Sequence, residues 1–228
     1  SGTPNREEIK REEILERRLK ECEEQYLHLF AHTNDIIFQA DDQGRFVVVN
    51  PPAAVALKRP LEQMLGLHYL DLVAPEHHRA VERFYNVQFL RRTKESYYEF
   101  EVVAGDGSRV WLGQAVQLIF DGESIRGFHA IARDITAQKV AESALRESEI
   151  RFRNAFDSAP IGMALVSING YWLQVNRAIC DIFGYTPEEL LKTTFHPLTH
   201  PEDVDLDVEQ RNRMAAGEIR SYQREKRY

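Results

Sequence analysis

Hydrophobic positions along the chain change period several times, and each change marks an element. Over residues 6–31, Leu15, Leu19, Cys22, Tyr26 and Leu29 recur at alternating spacings of four and three, the seam of an amphipathic or coiled-coil helix. Two short strand-like runs follow at 35–40 and 45–50, joined by Asp41-Asp42-Gln43-Gly44, which predicts a tight hairpin. Asn50-Pro51-Pro52 stops the second run, because proline has no N–H to give a ladder. From 53 to 92 the period is helical. Short pieces at 53–57, 61–65 and 69–73 precede a longer helix from Pro75, with Val81, Phe84, Val87, Phe89 and Leu90 as its apolar anchors. Three long stretches at 97–104, 110–120 and 124–131, separated by Gly105-Asp106-Gly107 and Asp121-Gly122, predict three more strands.

The next stretch, 134–156, contains neither Gly nor Pro and is built largely of Ala, Glu, Gln, Lys, Arg and Leu, all good helix formers. Ala141, Leu145, Ser148, Phe152 and Ala155 again keep the four-three spacing of a heptad seam. Thr136 is the expected N-cap, with Asp134 at the end of the helix where the dipole favours negative charge. A solvated linker helix would have the same composition, but the stretch occurs twice. At an offset of 126 residues Leu19 recurs as Leu145, Glu21 as Glu147 and Phe30 as Phe156. At the same offset Gly44 recurs as Gly170, Val49-Asn50 as Val175-Asn176 and Pro75-Glu76 as Pro201-Glu202. A repeat of this length is a whole domain rather than a solenoid unit.

The layout is therefore α+β, with each copy a five-stranded antiparallel sheet carrying short helices on one face. The expected parts are a helix at 1–31, a first domain at 32–136, a connecting helix at 137–156 and a second domain at 157–228. The second copy, from Ile161, is expected to be cut at Tyr228 inside its third strand and to lack its last two.

A hydrophobic fraction of 43% and a charged fraction of 29% are ordinary for a globular protein. The net charge of −7 carries no basic footprint, which argues against a nucleic-acid partner. No apolar run approaches the roughly 18 residues of a membrane span, so no membrane contact is expected in this segment. Cys22 and Cys180 make no disulfide framework; with no secretory signal, this points to the cytoplasm. The opening Ser1-Gly2 reads as a cloning remnant.

Gly44-Arg45-Phe46 through Val49-Asn50, Gly105-Asp106-Gly107-Ser108-Arg109-Val110-Trp111 and Ala132-Arg133-Asp134-Ile135-Thr136 together resemble a PAS domain with its C-terminal PAC motif. The second copy is similar through Gly170, Val175-Asn176-Arg177, Phe183-Gly184-Tyr185-Thr186-Pro187-Glu188-Glu189-Leu190 and His200-Pro201-Glu202-Asp203. The resemblance implies a sensory and dimerising module of bacterial histidine kinases, diguanylate cyclases or phosphodiesterases. Such a module detects a small molecule or a redox or conformational cue and relays it to an output domain, here beyond Tyr228. The resemblance also implies a homodimer formed through the helices. The relay would run from Asp134, Ile135 and Thr136 into the helix that carries Leu145 and Phe152.

Where a photoactive LOV-type relative carries a cysteine and a glutamine, this chain has Tyr69 and Ala132, and Phe195 stands at the cysteine place of the second copy. This argues against cysteinyl-flavin photochemistry, and no cofactor is firmly implied. Haem needs an axial ligand, but the long helix reads Arg79-Ala80-Val81-Glu82-Arg83-Phe84, and His77 and His78 fall in an exposed-looking first turn. His196 and His200 have a metal-ligand spacing, yet Pro197 and Pro201 break the helix that would align them. That stretch reads as a helix start, and no metal is assigned.

On 110–120, alternation puts Val110, Leu112, Gln114, Val116 and Leu118 on one face. Alternation alone leaves open which face is inside; the resemblance implies that this one lines a pocket with Phe84, Phe128, Ala130 and Ala132. Gln114, its single polar group, would orient a ligand. The alternative is a solid core in which Gln114 bonds to backbone. Trp111, Ala115, Ile119, His129 and Ile131 make the opposite face largely apolar too, and the N-terminal helix of this chain or of a partner is its expected cover. No G-x-x-x-x-G-K-[ST], G-x-S-x-G or G-x-G-x-x-G occurs, so no catalytic residue is assigned and the segment is read as regulatory. The alternatives to a ligand sensor are a flavin- or haem-binding redox or gas sensor and a structural dimerisation scaffold.

Overall fold

The computed structural model describes residues 6–228, with side chains from Ile14 onward; Ser1-Gly2 and the opening of the 1–31 segment lie outside the described residues. The chain divides after Glu142 into two compact units. In the first, α1 (Arg6–His32) leads to a hairpin of β1 (Ile36–Asp41) and β2 (Phe46–Val49). Then come α2 (Pro51–Ala56), α3 (Leu61–Met64), a 3-10 turn at Tyr69–Leu72 and α4 (His78–Arg91). Strands β3 (Glu95–Val103), β4 (Arg109–Asp121) and β5 (Ser124–Asp134) complete the unit.

The five strands form one antiparallel sheet in the order β2-β1-β5-β4-β3. The last strand therefore lies at the centre, paired with β1 from Ile36↔Ala132 to Asp41↔Gly127 and with β4 on its other side. From that central strand the chain enters α5 (Thr136–Ser158).

Val110, Leu112, Gln114, Val116 and Leu118 are all buried, and they pack with Ala53, Met64 and Val81 of α2, α3 and α4. The alternation was right, and the helices decide which face is inside. Pro51 and Pro52 do more than stop β2: they open α2, where their missing N–H groups have no partner to lose. The long helix begins at His78 rather than Pro75, and its buried face is Val81, Tyr85 and Gln88. Of the expected anchors, Val81 is buried and Phe84 and Phe89 pack half-buried against the core, whereas Val87 and Leu90 are exposed. Steps of four and three stay on one stripe of a helix, whereas Phe84, Val87 and Leu90 drift off it, and Leu90 is 85% exposed.

Of the two covers expected for the outer face, the one by the chain's own helix is overturned. The chain's own α1 does not cover it but packs against α2, leaving Ala115, His129 and Ile131 exposed. Trp111 is half-buried, with the ammonium of Lys139 5.5 Å above its ring.

The second unit contains β6 (Ala164–Val166), β7 (Trp172–Val175), α6 (Arg177–Phe183), α7 (Pro187–Leu190), a 3-10 turn at His196–Leu198 and α8 (Pro201–Ala215). Among the described residues its sheet is the β6–β7 pair alone. The expected third strand is not assigned, although its segment is in place. His200 N–H donates to Arg227 C=O at 2.9 Å, just as Ala74 N–H donates to Glu101 C=O at 2.8 Å in the first unit.

The repeat extends to side-chain chemistry. Asn50 is fully buried; its Oδ1 accepts from Ile37 N–H at 2.9 Å, and its Nδ2 donates to Phe30 C=O at 3.1 Å and Asp35 C=O at 2.9 Å. Asn176 does the same with Met163 N–H at 2.8 Å and with Phe156 C=O and Ile161 C=O, each at 2.9 Å. Each asparagine thus ties the end of the preceding helix to the hairpin. Gly44 and Gly170, at φ of +76 and +86, turn the two hairpins. A Cβ on Gly44 would meet the Tyr69 ring at 2.8 Å, and one on Gly170 the His196 ring at 2.7 Å, so each turn must be glycine on both counts.

Asn50→Ala would leave two carbonyls and one N–H without partners in a dry site. Urea unfolding should show a loss of roughly 2–4 kcal/mol, and Asn176→Ala should loosen the second unit in the same direction. A second test concerns Arg227, whose hydrogen bonds and charge hold the Asp203 carboxyl down at about 2 from an ordinary 3.8. Because the folded value lies below the ordinary one, this support is complete above 3.8 and lost as the pH falls towards 2. Amide exchange at residues 224–228 should therefore accelerate in that window. Arg227→Gln, which removes the largest contribution but leaves the backbone hydrogen bond and Arg224 in place, should reduce the acid dependence.

Candidate functional site

In the first unit the inner face closes around Gln114. Its amide Nε2 donates to the Tyr85 hydroxyl at 2.9 Å, so the partner is a side chain on α4 rather than the backbone expected of a solid core. Beside them lies a cavity of about 30 Å³ lined by Ile36, Phe38, Met64, Leu72, Leu112 and Gln114. That is room for one water and far below the roughly 300–1,000 Å³ of ligand pockets. Of the sequence candidates, Leu112 and Gln114 border this cavity. Val116, Phe128, Ala130 and Ala132 are buried in the same core without lining it. Phe84 does not border the cavity: it packs half-buried against the edge of the core, edge-on to Tyr85 and stacked on Tyr98 at 4.4 Å between ring centres.

Tyr85 was missed by the sequence reading. The signal was available, since Val81, Tyr85 and Gln88 keep the four-three spacing. Burial pushes the Tyr85 phenol well above its usual range, and burial followed by the charge of Glu82 pushes Tyr69 up to about 12. Both rings are neutral hydrogen-bonding groups at any physiological pH.

The exit from the sheet is braced by Asp134, Ile135 and Thr136. Asp134 Oδ1 accepts from Thr136 N–H at 2.8 Å, which makes Asp134 the cap that Thr136 was expected to be. The Thr136 hydroxyl is used elsewhere and accepts from Trp111 N–H at 2.9 Å. Ile135 is buried, and its N–H donates to Trp111 C=O, also at 2.9 Å. Strand pairing with β4 therefore continues into the first turn of α5. One turn on, Lys139 pairs with Glu99 on β3 at 2.6 Å, lowering the carboxyl and raising the amine. Farther along, the seam is bare: Leu145 is 62% and Phe152 50% exposed. Phe152 stacks on Phe156, which is buried and held through its carbonyl by Asn176.

His77 and His78 are half-buried rather than exposed: His77 lies edge-on to Trp111, and a ring nitrogen of His78 is 2.8 Å from Val73 C=O. His200 is the N-cap of α8, the helix start expected of it. Among the described residues no group of three or more His, Cys, Asp or Glu is placed to hold a metal ion. None of the described helices is long and apolar enough to cross a membrane.

The family model described as the PAS fold matches the chain twice, over residues 24–135 and 150–227. The chain belongs to the PAS family. Each PAS match begins inside a helix, α1 or α5, and takes in the stretch whose carbonyl the buried asparagine holds. The first PAS match ends at Ile135, one residue before α5.

The probable diguanylate cyclase DgcE of Escherichia coli K12 is 50% identical over 84 residues, 37% of this chain and 8% of that protein. Sporulation kinase E of Bacillus subtilis is 25% identical over 218 residues, 93% of this chain and 28% of the kinase. The chain thus spans well under two thirds of either relative. Among solved structures, the PAS domain of a Colwellia psychrerythraea protein aligns with a TM-score of 0.46 at 22% identity, covering 54% of this chain and 98% of that one.

Gln114→Leu would leave the Tyr85 hydroxyl buried without its partner, and should cost about 1–2 kcal/mol in urea unfolding. Adding Tyr85→Phe to Gln114→Leu should recover most of that loss. Additive losses would show that the two groups do not act as a pair.

Proposed function

We propose that this chain is a tandem PAS sensory module that passes a cue along α5 to an output domain of the histidine kinase or cyclic-di-GMP type. The observation that carries this reading is the brace at Asp134-Ile135-Thr136. Central strand β5 does not end in a loop; it continues, hydrogen-bonded to Trp111, into a helix of 23 residues. A displacement of the sheet therefore moves the start of the helix directly, because no flexible link absorbs it.

The exposed seam at Ala141, Leu145, Ser148, Phe152 and Ala155 is weakly apolar, with Ala and Ser where a stable coiled coil holds Leu or Ile. Weak packing suits a switch, since two arrangements then differ by only a few kcal/mol. We assign this seam, and the matching one on α1, to a parallel homodimer. The similarity to DgcE and sporulation kinase E, named a probable diguanylate cyclase and a kinase, supports an output of that kind. The free thiols Cys22 and Cys180 suit a cytoplasmic setting.

The test is insertional and uses a chain that carries the output domain. One residue inserted after Glu142 rotates everything beyond it by about 100°; seven residues restore the phase to within about 20°. The single insertion should uncouple output from input and the seven-residue insertion should largely restore coupling. Equal signalling by both would make α5 a passive tether.

A further inference from the structure

The strand order of the first sheet leaves β3 at an edge, and the phase of its hydrogen bonds shows which of its groups are free. Leu118 N–H donates to Lys94 C=O at 3.0 Å, and Ala104 N–H donates to Ser108 C=O at 2.8 Å. In the register of β3 with β4, these two bonds make the even-numbered residues of β3 the ones bonded to β4. The odd-numbered residues turn their N–H and C=O groups away from the sheet. Ala74 N–H takes the Glu101 carbonyl at 2.8 Å. Among the described residues no backbone group takes those of Glu95, Tyr97 and Glu99.

Helix α4 runs back alongside this edge, held to it by the Phe84–Tyr98 stack and by Ser96 Oγ, which donates to Gln88 Oε1 at 2.6 Å. Between helix and edge lies a groove of about 530 Å³, its apolar lining Phe84, Val87 and Tyr98 and its helix side carrying Arg83 and Arg91. Both arginines are exposed, and among the described residues neither has an ion-pair partner. The other side of the same edge has the opposite sign. Alternation sends Glu95 and Glu99 to the outer face, where Lys139 answers Glu99 alone.

Proteins blunt open edges with charge to prevent pairing, and that accounts for the glutamates. It does not account for two unpaired arginines beside an apolar groove on the helix side. A second copy of the chain is the wrong occupant, because β3 paired with β3 about a two-fold axis would set glutamates against glutamates and arginines against arginines. A strand of different sequence meets no such conflict. The eight residues from Arg83 to Arg91 advance about 12 Å along the helix, and four residues of a strand advance about 13 Å. Acids four residues apart on one face of an added strand therefore reach both arginines, with an apolar residue midway over Val87.

We propose that β3 and α4 together dock an extended segment of a partner protein, added antiparallel as a further strand beside Glu95, Tyr97 and Glu99. The face of that segment towards α4 reads acid, apolar, acid at alternate residues, and its outer face is neutral or basic. Main-chain bonds to the edge supply affinity, and the alternate side chains supply specificity. Carboxylates on the inner face meet Arg83 and Arg91 in charge-assisted hydrogen bonds. This recognition role goes beyond the sensory reading and rests neither on a cue in the core nor on the relay through α5.

The probe is the fluorescein-labelled peptide Ser-Glu-Lys-Val-Lys-Glu-Ser, titrated with the whole chain and followed by anisotropy. The comparison peptide, Ser-Lys-Glu-Val-Glu-Lys-Ser, has the same composition and net charge but turns lysines towards α4. In antiparallel addition the amides of the two lysines of the probe face β3 and the valine amide faces water. The probe should bind saturably, and the exchanged peptide about tenfold or more weakly. N-methylation of both lysines should cost about tenfold or more, and N-methylation of the valine little. Arg83→Gln combined with Arg91→Gln, both at exposed positions, should weaken the probe about tenfold or more.

Equal binding of the two peptides would reveal plain charge attraction, and indifference to lysine N-methylation a segment that does not pair with the edge. Either result would overturn the assignment, as would no saturable binding of the probe or undiminished binding by the folded double variant. Arginines that serve an anionic membrane surface would leave the probe unbound. The N-methylated series decides the matter if the double variant does not fold. None of these readouts needs an output domain, so they stand whichever way the insertion series falls.

Discussion

Everything in either unit hangs on one buried asparagine. Asn50 and Asn176 sit where a helix arrives, the first strand starts and the second strand ends. Their side chains tie the helix to a hairpin whose own strands are joined there by the asparagine N–H, donating to Ile37 C=O or Met163 C=O. Each amide offers one acceptor and two donors, and the site uses all three. A carboxylate could not donate and a hydroxyl could not span the separation. In a buried site such a network is either complete or destabilising, which is why the same three bonds recur 126 residues apart. The consequence reaches beyond stability. The carbonyl each asparagine holds belongs to the last turns of an arriving helix, so helix and hairpin are joined by hydrogen bonds and not only by apolar contact.

The second constraint is at the other end of the sheet. Trp111 uses both backbone groups on the chain leaving β5, its C=O on Ile135 and its N–H on the Thr136 hydroxyl. A helix that starts in this way is registered against β4 to within one residue. Arrival is fixed by asparagine and departure by the Asp-Ile-Thr brace; between Thr136 and Phe156 the helix shows an exposed seam of small and apolar residues. Both ends of the helix are thus hydrogen-bonded to folded structure, while the seam between them is not packed.

The hydrophobic periods, the turn residues and the internal offset of the amino-acid sequence were enough to determine the elements, their order, the α+β class and the duplication, because these depend on local chemistry and on identity at a distance. The inner alternation of β4 was legible for the same reason, down to Gln114. What the sequence could not decide was everything set by which segments meet. The partner of Gln114 lies 29 residues away on a helix, and nothing in either stretch names the other. Thr136 has the right chemistry for a helix cap; only the approach of Trp111 turned its hydroxyl to the sheet and left capping to Asp134. The size of the core cavity is likewise a sum over side chains from β1, β2, α2, α3 and β4 that no single period records. The outer face looked as apolar as the inner one along the chain, and only the packing of α1 against α2 showed it to be uncovered by its own helix. Local pattern sets what each element can bury; tertiary contact decides what it buries against.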